Sequence, residues 1–157
     1  MPPEDRPASD PRAYLLDTNH CSRLLRGDVA VTERLASLGD AHVALCVITR
    51  GELVFMAGKS DRSTENLLLV QQFTSAITSY PVDDEVADVY GELKASIVNT
   101  FGPRERAKRR NITTERLGFS ENNLWIAAVA RRHNLTLVSE DGDFQRLVQI
   151  TDLVVES

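Results

Sequence analysis

An α/β fold with a central parallel β-sheet flanked by α-helices is the class this sequence predicts, and three observations predict it. Short apolar runs recur at 13–17, 42–48 and 135–139 without polar alternation, as strands buried on both faces require. Between them lie segments whose apolar residues repeat at helical spacing. The first and last of these runs end in acidic and small polar residues: Asp17-Thr18-Asn19 after one, Glu140-Asp141-Gly142-Asp143 after the other. In open α/β sheets that is the ligand-bearing edge, beyond the carboxyl ends of the strands.

Taken in order, residues 1–12 hold four of the six prolines and are otherwise polar, so a disordered lead-in is expected before a domain at 13–157. The first strand at 13–17 precedes a short helix at 19–26, which Gly27 closes. Asp28 fits the N-cap of a second helix carrying Val31, Leu35 and Leu38, with Gly39 as its stop. The second strand at 42–48 leads into Thr49-Arg50-Gly51-Glu52, where Thr49 and Glu52 have capping-box spacing. A place in that first turn also sets Glu52 over the sheet's carboxyl edge, and the two roles are compatible.

A helix at 62–78 presents Leu69, Val70, Phe73 and Ile77, and a short strand follows at 79–82. The next helix, from Asp84 to about Thr100, carries Val86, Val89, Leu93 and Ile97 as its inward stripe and ends at Gly102-Pro103. Residues 104–118 form a connection without apolar periodicity. Ser120 is an N-cap for an alanine-rich helix that begins Glu121-Asn122-Asn123-Leu124-Trp125, and small side chains let such a helix lie close to a sheet. A last strand is expected at 150–155.

The chain has 157 residues, enough for one domain with a substantial core, and 42% of them are hydrophobic. No apolar run approaches the roughly 20 residues of a membrane span, and the first residues contain no signal-peptide core. Two cysteines, Cys21 and Cys46, lie far apart without metal-ligand spacing, which suits reduced thiols and a cytoplasmic location. The net charge of −5 argues against general polyanion binding, but it is unevenly spread. Residues 104–110 carry five bases (Arg104, Arg106, Lys108, Arg109, Arg110) and one acid, leaving 13 bases against 22 acids, a balance of −9, in the rest. Such a strip is either a solvated face or a phosphate-holding surface beside a catalytic crevice. No aromatic residue interleaves it, so base stacking there has no support.

Two strands thus end in carboxylates, Asp17 after the first and Asp141 with Asp143 after the fourth, and Glu52 adds a third site. Asp17 or Asn19, and Glu52, also have a structural reading as helix caps. Gathered at one point, carboxylates repel one another, and a hard divalent cation with oxygen ligands relieves that repulsion. His20, His42 and His133 are scattered, and the chain has no glycine-rich phosphate loop and no Gly-x-Ser-x-Gly elbow.

Four segments, in order and at fitting intervals, carry a family resemblance: Leu15-Leu16-Asp17-Thr18-Asn19, Thr49-Arg50-Gly51-Glu52-Leu53, Asn123-Leu124-Trp125-Ile126-Ala127-Ala128 and Leu137-Val138-Ser139-Glu140-Asp141-Gly142-Asp143-Phe144. On them the chain resembles PIN domains, specifically the VapC-type ribonuclease toxins of bacterial toxin–antitoxin pairs, over about 13–155. The resemblance implies a parallel sheet flanked by helices, Mg²⁺- or Mn²⁺-dependent cleavage of RNA, homodimers, and inhibition by a cognate antitoxin whose C-terminal tail enters the active-site groove. Carried over by position, it makes Asp17, Glu52 and Asp141 metal-binding acids, with Asp143 as a helper. Where the family has a further acid, this chain has Asn123. An amide oxygen can ligate a cation but brings no charge, so the site should hold metal more weakly, a second ion above all. Glu121 and Asp143 stand near it in sequence as substitutes. The sequence is compatible both with a natural variant of low activity and with a substitution that silences a toxin.

Three function classes follow. The first is a metal-dependent endoribonuclease toxin, with Asp17, Glu52, Asn123 and Asp141 at its centre. The second is a non-catalytic PIN-like module that binds RNA or an antitoxin, which Asn123 favours. The third is an aspartyl-phosphate hydrolase or receiver-like domain, which places Asp after a first strand; Asn19 occupies the position where such a phosphatase has its second acid.

Overall fold

The computed structural model describes residues 13–157, and the expected lead-in at 1–12 lies outside the described residues. Among those residues, one sheet forms from β1 (Ala13–Leu16), β2 (His42–Cys46), β3 (Thr78–Tyr80), β4 (Thr136–Val138) and β5 (Val155–Glu156). All its pairings are parallel, in the order β3-β2-β1-β4-β5. The helices are α1 (Thr18–Leu25), α2 (Val29–Ser37), α3 (Val47–Gly58), α4 (Ser63–Ala76), α5 (Asp84–Phe101), α6 (Arg106–Arg109), α7 (Glu121–Arg132) and α8 (Gly142–Val148). No helix among them is long and apolar enough to cross a membrane.

Side chains on a strand alternate between faces, and both faces of this sheet are covered. Ala13 and Leu15 of β1 join Ala44, Cys46 and Leu137 in one core, closed by Val86, Leu93 and Ile97 of α5, the apolar side of α7, and Phe144 and Leu147 of α8. Leu16, Leu45 and Val138 point the other way, into a core with Cys21 of α1, Leu53 and Ala57 of α3 and Val70 of α4. The chain begins in the middle of the sheet, winds outward through β2 and β3, then crosses back to β4 and β5 on the far side of β1. The sheet's switch in direction therefore falls between β1 and β4, where a crevice opens at their carboxyl ends.

Four helices start on an aspartate whose carboxylate accepts a first-turn amide: Asp17 from His20, Asp28 from Val31, Asp83 from Val86 and Asp141 from Asp143. Gly27 (φ 78°) and Gly39 (φ 63°) stop α1 and α2 in the left-handed region expected of them.

Three expectations need correction. The run at 42–48 divides: β2 ends at Cys46, whose Sγ accepts the Ile48 amide at 3.4 Å, and α3 begins at Val47. Thr49 is thus a buried residue inside the helix, and the capping box with Glu52 does not form. An unbroken apolar run carries no mark of where strand gives way to helix, since Val47 and Ile48 pack on the core in either form. The strand expected at 150–155 is only Val155–Glu156, and helix α8, capped by Asp141, precedes it. On α4, Val70 and Thr74 face inward whereas Leu69 is exposed.

Beyond the end of α7, His133 is buried against the Tyr80 ring, centroids 4.5 Å apart, and neither ring nitrogen has a hydrogen-bond partner among the described residues. Burial first, and then the Arg132 guanidinium, holds its proton affinity below the usual histidine range. The unfolded chain takes up that proton near the ordinary value of 6.5 and the folded chain only at lower pH, so in this window the unfolded state binds more protons. Stability is therefore expected to fall as pH drops from 7.5 to 5.5. Urea midpoints across that range should show a shallower fall for His133→Leu. In the core, Leu93 of α5 is fully buried, and Leu93→Ala should lower unfolding free energy by about 2–5 kcal/mol. Leu68→Ala at an exposed site should change it by less than about 0.5 kcal/mol, both read by urea titration.

Candidate active site

The end of β1 places Asp17 at the switch point. Its backbone amide donates to the Val138 carbonyl at 3.3 Å, so the last residues of the two central strands are tied together. Its carboxylate is buried and fully engaged. Oδ1 accepts the His20 amide at 2.8 Å and the His20 ring Nδ1 at 2.9 Å, while Oδ2 accepts the Ser139 hydroxyl at 2.5 Å. Beside a carboxylate acceptor, Nδ1 must carry the proton. Asp17 is thus both the cap of α1 and a fixed acid at the crevice.

Ser139 does two things at once. Its proton goes to Asp17, and its oxygen accepts the Asp141 amide at 3.0 Å. Asp141 in turn caps α8, with Oδ1 accepting the Asp143 amide at 2.9 Å. On the other side, α3 brings Glu52 to the crevice, where Oε1 accepts the Thr18 hydroxyl at 2.6 Å. With that proton committed, the 3.1 Å contact between Thr18 and Thr49 must have Thr49 donating. Thr49 of the expected box therefore supports Glu52 from within the helix instead of capping it.

Asn123, on the first turn of α7, turns its amide nitrogen toward Asp141 Oδ2 at 3.2 Å and Asp143 Oδ2 at 3.0 Å. Two acceptors call for a donor, and the NH₂ group supplies two protons. An aspartate in its place would set a third carboxylate against two others. Asp143 also accepts the Ser120 amide at 2.9 Å, which anchors the start of α7 to α8.

Asp17, Thr18, Asn19, Ser22, Arg26, Glu52, Met56, Ser120, Asn123 and Asp141 line one cleft of about 340 Å³. All four residues expected at the centre of the site are among them. Asp143 is not, and it serves the start of α7. Glu121 is turned away, with Oε1 3.0 Å from the Lys94 ammonium, and does not stand in for the missing acid. The basic strip forms α6 and its flanks and contributes nothing to the lining of this cleft. Lys108 stands 3.6 Å from Glu105, and the Arg109 guanidinium donates to the Arg104 carbonyl at 2.6 Å. The end of that connection is fastened by Arg146, whose guanidinium lies 4.0 Å from the Phe119 ring centre and donates to the Leu117 carbonyl at 3.0 Å. His20, Thr18, Ser139 and Arg26 escaped the sequence reading. Thr18 and Ser139 were signalled only by adjacency to the strand-end acids, and Arg26 by its place seven residues after Asn19 on one helix face.

Three carboxylates and an amide oxygen are hard donors suited to Mg²⁺ or Mn²⁺. Among the described residues no three of His, Cys, Asp and Glu already stand as a ligand set. A cation of this type keeps several waters and needs only one or two carboxylates, so the donors fit an ion held largely by water.

A model of the family described as PIN domain matches residues 14–149. Ribonuclease VapC11 of Mycobacterium tuberculosis is 30% identical over 152 residues, covering 91% of this chain and 97% of that protein. Ribonuclease VapC2 of Haemophilus influenzae is 28% identical over 140 residues, covering 87% and 93%. In fold, the chain is similar to the VapBC2 structure from Rickettsia felis bound to a DNA fragment from their promoter, with a TM-score of 0.72 at 23% identity over 91% of this chain and 96% of that one. With a family model across nearly all of its described length and a VapC ribonuclease matched almost end to end, the chain belongs to the PIN domain family, among the VapC ribonucleases.

Proposed function

We propose that this chain is a VapC-type endoribonuclease toxin that cleaves RNA with Mg²⁺ or Mn²⁺, acts in the cytoplasm as a homodimer, and is neutralised by a cognate antitoxin. The observation that carries the reading is the meeting of Asp17, Glu52, Asn123 and Asp141 in one cleft at the sheet's switch point. The names of the relatives support ribonuclease activity, and an antitoxin partner is suggested by similar folds solved as VapBC and FitAB complexes.

Asp17, Glu52 and Asp141 are the residues that would hold the cation. When bound, the ion supplies charge neutralisation and Lewis acidity at a phosphodiester. Ser139, His20 and Thr18 keep the acids in place, and Asp143 holds the start of α7. Glu52 and Asp141 also offer acceptors that orient a water beside the scissile phosphate. Asn123 lowers the negative charge of the site, and its NH₂ group spends itself on Asp141 and Asp143. Asn123 also favours a second reading, a non-catalytic module that binds RNA or antitoxin, because an amide at this position brings no charge to a cation.

The two readings part in a cleavage assay on total RNA with Mg²⁺, Mn²⁺ or EDTA. For the nuclease, Asn123→Asp is expected to cut at least about tenfold faster than the parent chain in Mn²⁺, since affinity follows ligand charge, and to be silent in EDTA. Asp17→Asn in that background should abolish cutting. If neither the parent nor Asn123→Asp cuts in either metal while RNA still binds, the module reading takes its place.

A further inference from the structure

Helix α1 runs along the cleft from its cap at Asp17. Asn19, Ser22 and Arg26 fall at i, i+3 and i+7, one helical face, and all three line the cleft. At 1.5 Å per residue, Arg26 stands about 13 Å along the helix from Asp17. It is exposed, and among the described residues its side chain makes one hydrogen bond, from Nε to the Ser22 carbonyl at 3.4 Å. Arg23, three residues earlier, has its guanidinium taken by Asp28 at 3.0 Å and Glu140 at 3.4 Å. Arg26 forms no ion pair among the described residues, although Asp17, Glu52 and Asp141 line the same cleft. Both of its NH₂ groups therefore remain available at the cleft wall.

We propose that Arg26 binds a phosphate of the RNA backbone next to the one that is cut; this rests on the nuclease reading above. A strand entering a cleft lined by three carboxylates meets repulsion, and a cation in the wall offsets it. A guanidinium suits the task because its planar fork donates two parallel hydrogen bonds to phosphate oxygens. The basic strip at 104–110, the only RNA-contacting segment the sequence singled out, does not line this cleft, so Arg26 takes the contact nearest the reacting bond. The contact reads no base and sets how the backbone lies across Asp17 and Asp141.

The test is equilibrium binding of a labelled single-stranded RNA by the whole chain in EDTA, where no cutting occurs, over a series of KCl concentrations. Arg26→Gln is expected to weaken binding about tenfold, and to lower the slope of log K against log salt by about 0.7, the loss of one phosphate contact on a single strand. Arg26→Lys should keep the slope while losing part of the affinity. Arg62→Gln, at an exposed position paired with Glu65, should change neither. An unchanged slope in Arg26→Gln, with RNA still bound and the urea midpoint unmoved, overturns the proposal and leaves the nuclease reading standing. If the parent chain binds no RNA at all, the proposal and the reading beneath it fall together.

Discussion

One hydroxyl group joins the two halves of the candidate site. Ser139 follows β4 directly, gives its proton to Asp17 after β1, and receives the amide of Asp141 at the start of α8. These strands are neighbours in space but 120 residues apart in sequence, so nothing local would align their acids. The serine does so because it donates and accepts at once, and because Asp17 is buried where an unmet carboxylate oxygen would be costly. Other contacts extend from this link: His20 fixes the second oxygen of Asp17, Thr18 reaches Glu52, and Asn123 bridges Asp141 and Asp143.

The charge gathered there explains why position 123 matters. Asp141 and Asp143 share one neutral donor, and its two N–H groups offset the repulsion between them. Hydrogen bonds join these acids to the starts of α7 and α8. An acid at 123 would undo that balance and hand the work of neutralisation to an ion.

Much of this was legible in the sequence. Buried parallel strands announce themselves by continuous apolar runs, and aspartates just beyond them serve as caps whatever else they do. Asp17, Glu52, Asn123 and Asp141 were readable as a set because family motifs place them in order. Boundaries were less readable. Val47 and Ile48 are equally apolar as strand or as first helical turn, and the seven residues of α8 are too few to display a period. Side-chain direction was not readable at all: Glu121 and Asn123 are two residues apart on α7, yet one turns to Lys94 and the other to the cleft. The basic strip drew attention by composition, whereas the arginine in the cleft wall is a single base at a helix end.

The order of the strands in space has a consequence in time. Asp17 and Glu52 leave the ribosome before Asp141 does. It is set in place only after β4 has entered beside β1 and Ser139 has reached Asp17. No nascent chain ending before Asp141 contains the complete set, and none ending before Ser139 contains the hydroxyl that aligns it. On the proposed function, cutting therefore waits until Asp141 has been made and β4 has paired with β1.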